Sequence, residues 1–393
     1  MSTTPSEDAG DAARVERALA DAGIGREELY RGLDELGGIG EVRVDGTTAV
    51  VPVTLPLPST EVRTTVEREV RAAVEEVDGV DGVAIRFEPR VPDSGQRVDL
   101  IPDVKHVVAV GSGKGGVGKS TIATNLAVAL AETGAAVGLL DADVYGPNAP
   151  RMLGLGERTP TANLDDRMVP REAHGVRVMS MGFITDDEDP VIWRGPLVDE
   201  FVKQLFGDVE WGALDYLVVD LPPGTGDAQL SLVQHLPVTG AVVVTTPQSV
   251  AVGDARKGLR GFARYDVPVL GIAENMAGFR CPDCGSEHEL FGAGGGDGLA
   301  TEFDVPVLGR IPVDPEVGHP DDEDPPEPPG LSVPGLGRLQ LPRTRAERER
   351  PASGDPVVIR DDGGEAGRAL ERLATRTAAR VNAYVAEHST AEK

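Results

Sequence analysis

The residues from Gly111 to Ser120 read Gly-Ser-Gly-Lys-Gly-Gly-Val-Gly-Lys-Ser. Within them Gly113, Gly118, Lys119 and Ser120 meet the spacing G-x-x-x-x-G-K-[ST]. The chemistry such a loop supports is the binding of a nucleoside triphosphate. Its glycines let the backbone bend until its N–H groups converge on phosphate oxygens, an approach that a Cβ would block. Lys119 then reaches the β- and γ-phosphates, and the Ser120 hydroxyl ligates Mg²⁺. The nucleotide-binding segment is therefore read as Gly113, Lys114, Gly115, Gly116, Val117, Gly118, Lys119, Ser120 and Thr121.

A nucleotide site also needs acidic groups at strand ends. Val218-Val219-Asp220 supplies one, followed by Leu221-Pro222-Pro223-Gly224-Thr225-Gly226-Asp227, which reads as a switch-like loop. Asp141-Ala142-Asp143 stands at the end of an earlier apolar run. These carboxylates are candidates for orienting the attacking water and for the metal's outer shell. For any one of them, a helix cap or turn residue is the competing reading.

Lys114 lies inside the glycine loop, where it cannot easily fold back onto the phosphate that Lys119 already holds. It is placed to reach a nucleotide across a dimer interface, as an arginine finger does. The competing reading is a solvated loop lysine.

Cys281-Pro282-Asp283-Cys284 follows Glu274-Asn275-Met276. Two cysteines at this spacing suit a tetrahedral thiolate site or a redox disulfide. A closed Zn or Fe–S site needs four ligands, and these are the chain's only two cysteines. His288 is a candidate third ligand, though a lone histidine beside a loop reads more simply as a surface residue. The simplest complete site is two Cys281/Cys284 pairs, one from each subunit of a symmetric dimer, taking Fe–S or Zn.

The elements that must position these groups follow from hydrophobic pattern. His106–Val110 reads as a buried strand and Ser120–Glu132 as a helix whose N-terminus faces the anion. Ala136–Leu140, Tyr216–Val219, Ala241–Thr245, Val267–Ile272 and Val305–Ile311 read as further buried strands, and Val357–Ile359 as a short one. Their alternation with helices predicts an α/β fold, a mostly parallel sheet covered by helices on both faces. The last helix is expected over Glu365–Ala386, packed on the sheet by Leu370, Leu373, Val381 and Tyr384.

Ahead of this P-loop domain (104–393), a small α+β domain is expected over 13–89, a linker over 90–103 and a disordered tail over 1–12. Within the small domain, Asp45-Gly46 marks a hairpin turn. Val62, Val66, Val70 and Val74 form one apolar stripe on a helix. Residues 319–351 are rich in Pro, Asp, Glu and then Arg, and read as a disordered insertion.

Acidic residues number 65 against 38 basic ones, a formal charge of −27. Such a surface repels nucleic acid and anionic lipid, so neither is expected as a partner. Six lysines against this acid excess suit a salt-rich, halophilic cytoplasm. No apolar run approaches the roughly 20 residues that span a bilayer. The N-terminus is polar and acidic, unlike a signal peptide. A cytoplasmic location is the expectation.

Taken together, these motifs, with Trp193-Arg194-Gly195-Pro196, resemble the Mrp/ApbC family of deviant-Walker-A P-loop ATPases, carriers for iron–sulfur cluster assembly grouped with MinD and the nitrogenase iron protein. The resemblance runs from about Lys105 to Pro315 and resumes near Gly354. It implies that Lys114 contacts the partner subunit's ATP, that Asp141 or Asp143 assists a slow hydrolysis, that Asp220 serves the Mg²⁺ shell and that Asn275 lies near the adenine. It also implies that Cys281 and Cys284 hold a [4Fe–4S] cluster bridged across a homodimer and given up to apo-proteins. The N-terminal region is similar to the MIP18-like domain often fused to this family. Ile24-Gly25-Arg26-Glu27 and Leu57-Pro58-Ser59-Thr60 stand where the family commonly has Asp-Pro-Glu and a cysteine, which points to docking rather than cluster chemistry there. The alternatives are a dimer stapled by Zn through a structural cysteine pair, and a MinD-like partitioning ATPase.

Overall fold

A computed structural model of the chain describes residues 5–55, 59–89, 91, 101–143, 146–155, 160–163, 167–183, 206–224, 229, 232–234, 236–281, 284–314, 330–333, 337–340, 355–360 and 364–389. The Trp193–Pro196 motif, Thr225–Asp227, Tyr145 and the Pro282-Asp283 pair lie outside them.

The small N-terminal unit consists of α1 (Pro5–Ala22), α2 (Arg26–Leu29), β1 (Arg43–Asp45), β2 (Thr48–Leu55), α3 (Thr60–Glu75) and β3 (Gly82–Pro89). β1 and β2 form the antiparallel hairpin, with Asp45 opposite Thr48, and β3 joins β2 in parallel. Ser59 caps α3 by accepting from Val62 N–H, and Val62, Val66, Val70 and Val74 are all buried. One correction concerns the tail. Helix α1, described over Pro5–Ala22, overlaps the segment expected to be disordered.

The second unit carries β4 (Val104–Ser112), α4 (Lys119–Glu132), β5 (Val137–Asp141), α5 (Ala149–Met152), β6 (Thr161–Ala162), β7 (Met168–Val169), β8 (Arg171–Ala173) and β9 (Val176–Ser180). It continues through β10 (Leu214–Asp220), β11 (Gly240–Thr245), α6 (Ser249–Arg264), β12 (Val269–Arg280), β13 (Glu287–His288), α7 (Gly295–Phe303), β14 (Val307–Val313), β15 (Gly330–Val333), β16 (Gly337–Gln340) and α8 (Gly364–Ser389). The main sheet runs β13-β12-β11-β4-β10-β5-β9-β8, with β14 also paired to β12. Every pairing is parallel except those of β13 and β8 at the margins. The mostly parallel sheet expected from the alternation is thus present. Helices α4 and α8 pack together on one face, α6 and α7 on the other.

Two local expectations change. Val357–Ile359 is a 3₁₀ turn rather than a strand, because Val358 N–H donates to Asn125 Oδ1 of α4 at 3.1 Å instead of to a sheet neighbour. Within 319–351, mostly outside the described residues, β15 and β16 form an antiparallel pair, with Gly330 opposite Gln340.

Two hydrophobic clusters organise the chain. One gathers Val15 through Val80, the other Val91 through Val381. Ala379 of α8 enters the first cluster, Arg380 lies 5.3 Å over the Tyr30 ring, and Arg31 pairs with Glu387 at 3.7 Å. The last helix therefore joins the two units. Among the described residues no helix is long and apolar enough to cross a membrane.

Candidate functional site

The site forms where β4, β5 and β10 end together. Parallel register sets Asp220 level with Val110 on one side and with Asp141 on the other. The next strand sets Ser180 level with Asp141. Four neighbouring strand ends thus deliver the P-loop and two carboxylates to one edge of the sheet, as expected where ligands bind open α/β sheets.

Between β4 and α4 the loop bends through two left-handed glycines, Gly116 (φ 77°) and Gly118 (φ 82°). Gly118 is also the N-cap of α4, whose first turn holds no acidic residue and so keeps its positive dipole end uncompensated. Packing demands glycine as well. A Cβ at Gly113 would stand 2.1 Å from the Asp254 carbonyl carbon of α6, and one at Gly118 would stand 2.2 Å from Asn275 Nδ2.

Lys119 is 5% exposed, and its ammonium sits 2.6 Å from Asp220 Oδ1, 3.3 Å from Asp143 Oδ2 and 3.3 Å from Ser120 Oγ. Asp220 is fully buried. Burial pushes its carboxyl pKa up, against the opposing pull of Lys119. Its second oxygen, Oδ2, has no hydrogen-bond partner among the described residues. A buried lone pair of this kind suits the coordination of a cation or its water shell.

The two aspartates of Asp141-Ala142-Asp143 take different places. Asp143 faces Lys119. Asp141 is fully buried and accepts from Asp143 N–H (3.2 Å), Ala149 N–H (3.0 Å) and Ser180 Oγ (3.1 Å). It therefore holds the turn after β5 to the start of α5. Burial first, and the neighbouring Asp220 charge second, push the Asp141 carboxyl up to about 7. Lys114 is half-buried in the loop, its carbonyl accepting from Ser112 Oγ at 3.0 Å.

Asn275 touches the loop from below. Its amide donates to the Val117 carbonyl at 2.9 Å, so it braces the P-loop. Sequence reasoning missed this contact, and missed Gln229, which is 3% exposed with its amide beside Gly111 and its Oε1 unpartnered among the described residues. Its burial follows from tertiary packing, and the sequence around it carries no local signal for it. The backbone of the Pro222-Pro223-Gly224 loop is tied to β4 by Gly224 N–H donating to Ser112 O at 3.0 Å.

Cys281 and Cys284 lie at the tip of the β12–β13 hairpin. Cys281 N–H donates to Ser286 O (2.9 Å) and Gly285 N–H to Cys281 O (2.8 Å), closing a tight turn. Both thiols are free, Cys281 half-buried and Cys284 exposed, and Cys284 Sγ is 3.3 Å from Ser286 Oγ. The Ser286 hydroxyl, its backbone N–H and the nearby Cys281 hold the Cys284 thiol below its ordinary pKa. His288 is exposed and stacks on Phe279. No cluster of three or more His, Cys, Asp or Glu ligands occurs among the described residues.

Comparison with known proteins agrees with this geometry. Residues 103–328 match the ParA-class family described as the NUBPL iron-transfer P-loop NTPase. The iron-sulfur cluster carrier protein of Deinococcus radiodurans is 50% identical over 290 residues, covering 74% of this chain and 82% of that protein. Its counterpart in Synechocystis is 47% identical over 293 residues, covering 73% and 83%. Among solved structures, a nucleotide-binding protein from Archaeoglobus fulgidus in complex with ADP is 38% identical at a TM-score of 0.50, covering 58% of this chain and 89% of that one. By a family match over more than half its length and by relatives about half identical to it, the chain belongs to the NUBPL iron-transfer P-loop NTPase family.

Proposed function

We propose that the chain is an ATP-hydrolysing carrier that takes an iron–sulfur cluster, as cargo, on Cys281 and Cys284 and passes it to apo-proteins. One observation carries this reading. The hairpin that presents the two thiols is the end of β12, the strand whose Asn275 touches the P-loop. Nucleotide site and thiol site are thereby parts of one element.

The residues fit Mg–ATP. The left-handed glycines, the bare first turn of α4, the Lys119 ammonium and the unpartnered Asp220 Oδ2 are complementary to a triphosphate and its cation. Bound Mg–ATP would supply the phosphoanhydride whose cleavage drives the cycle. Lys119 balances phosphate charge, Ser120 and Asp220 hold the metal side, and Asp143, the less buried of the strand-end carboxylates, orients the attacking water. Asp141 positions Asp143 through the backbone. Gly113 to Thr121 wrap the phosphates.

Two thiolates leave a cluster half-ligated, which supports a symmetric homodimer with one pair from each subunit. The same arrangement gives Lys114 its role, neutralising phosphate charge on the partner subunit's nucleotide. The family match and the relatives' name support iron transfer as the task. The net charge of −27 supports soluble protein clients over nucleic acid or membrane, and a cytoplasmic site of action.

The test is anaerobic reconstitution with iron and sulfide of the wild type and of Cys281→Ala/Cys284→Ala. A brown product with about four Fe per dimer, absent from the double variant, is expected. A colourless wild type holding zinc would reduce the cysteine pair to a staple and sink the carrier reading.

A further inference from the structure

Strand β12 holds three features within seven residues. Asn275 Nδ2 donates to Val117 O of the P-loop, and no Cβ fits between it and Gly118. Met276, the next residue, adopts φ 58°, left-handed backbone in a residue other than glycine. Pairing with β14 then slips: Asn275 is opposite Ile311, but the next partner pair is Phe279 with Val313. Cys281 follows two residues after that pair.

Each feature has a physical consequence. The amide bond ties the strand's position to the peptide of Val117, which lies in the loop that receives phosphate. Left-handed backbone is disfavoured at a side-chain-bearing residue and persists only where its surroundings hold it, so a change in those surroundings is felt first at Met276. The slipped register removes ladder bonds that would otherwise lock the strand to its neighbour over that stretch. Upstream the strand is fixed: Glu274 is buried, accepts from Gly296 N–H at 2.7 Å and pairs with Arg310 at 3.3 Å. Movement is therefore confined to the segment after Glu274, and that segment ends in the thiol hairpin.

The geometry points to Asn275 as a positioning residue that reports nucleotide occupancy of the P-loop to the Cys281/Cys284 hairpin, with Met276 as the hinge. Phosphate binding reorients the Val117 peptide, the Asn275 amide follows it, and the Met276 backbone exchanges between two arrangements. The hairpin at the end of the strand shifts with it. Occupancy of the site is felt at the thiols only through this difference between states. The inference rests on the reading above solely for what the hairpin carries. The link between loop and thiols stands whatever metal they bind.

Thiol reactivity reads the link without any cluster. In metal-free Cys281→Ser protein, Cys284 is the one remaining cysteine, and its alkylation rate by monobromobimane is measured with no nucleotide and with saturating ADP. The rates are expected to differ by about fivefold or more, the lower range of coupling between distinct sites. Adding Asn275→Ala, at an ADP concentration shown by titration to saturate it, brings the ratio close to one. Met276→Gly relieves the hinge while keeping the amide, and also shrinks the ratio; it decides the matter if Asn275→Ala does not fold. An ADP-insensitive rate in the parent overturns the inference, as does a full ratio in either variant. Failure to saturate Asn275→Ala would make Asn275 a nucleotide ligand, and that too overturns it. A protein that fails to take up iron yet keeps the ratio would sink the carrier reading alone.

Discussion

Lys119 Nζ lies 2.6 Å from Asp220 Oδ1, both groups almost wholly out of water, at the meeting of α4 and β10. The ion pair is a structural bond at the centre of the proposed nucleotide site. Removing one partner of a buried pair leaves an uncompensated charge, at a cost of about 3–5 kcal/mol. Lys119→Ala is therefore expected to abolish ATP hydrolysis and to lower thermal stability together. Lys119→Ala/Asp220→Asn should recover much of the stability and none of the activity. Thermal melts of the single and double variants check this, and equal melting temperatures for wild type and Lys119→Ala would show the pair to be energetically idle.

Asp141 gives the fold a pH dependence. Its carboxyl is raised to about 7 by burial and by Asp220, against about 3.9 in an unfolded chain. The folded state therefore binds a proton that the unfolded state has released. The stability this provides is fully present below about pH 4 and is lost as pH rises through about 7, to a total on the order of 4 kcal/mol. Asp141→Asn should flatten the fall in denaturant midpoint between pH 4 and 7. Its amide cannot accept from all three donors, so it should also start about 1–3 kcal/mol less stable at pH 4. An unchanged slope in the variant would assign the dependence elsewhere.

The glycines of the loop separate folding from binding. Gly113→Ala drives a Cβ into the Asp254 backbone and should destabilise the protein by about 1–3 kcal/mol. Among the described residues, no atom beyond its chain neighbours lies within 4 Å of a Cβ added at Gly115. Gly115→Ala is expected to keep the melting temperature and to weaken ADP binding, because the methyl meets only the phosphate the loop receives. Titration calorimetry beside thermal melts distinguishes the two, and normal affinity in Gly115→Ala would place the phosphates elsewhere.

What could be read from the sequence divides along the same physical line. The P-loop, its strand and its helix were legible because their determinants are local: glycines at fixed offsets, an apolar run before them, a helical pattern after. The parallel sheet followed from alternation of such segments. Contacts between distant residues were not legible. Val357–Ile359 has the β-branched look of a strand, yet Asn125, far back on α4, takes the amide of Val358 and turns the chain. The motif Asp-Ala-Asp offered two equivalent carboxylates, and only the register of β5 with β9 and β10 assigns Asp141 to bracing and Asp143 to the lysine. The contact of the Asn275 amide with the P-loop carbonyl of Val117 spans 158 positions, and no local pattern signals it.

Lys114 offers the sharpest test of assembly. It sits in the loop beside Lys119, but Lys119 is already held between Asp220 and Asp143, so a second ammonium there serves the same phosphate poorly. If it acts on the partner subunit's nucleotide, Lys114→Ala should retain ADP binding and lose hydrolysis by about 10³-fold, the lower range for a cation supplied in trans. Asp143→Asn should be equally inactive, for a defect within its own site. Mixing the two variants then becomes informative. A mixed dimer contains one site with its own Asp143 intact and a partner that supplies Lys114, and random pairing restores about a quarter of wild-type turnover. A loop lysine acting within its own subunit predicts no recovery at any mixing ratio. Steady-state hydrolysis across a mixing series, at protein concentrations where light scattering reports dimer, separates these outcomes.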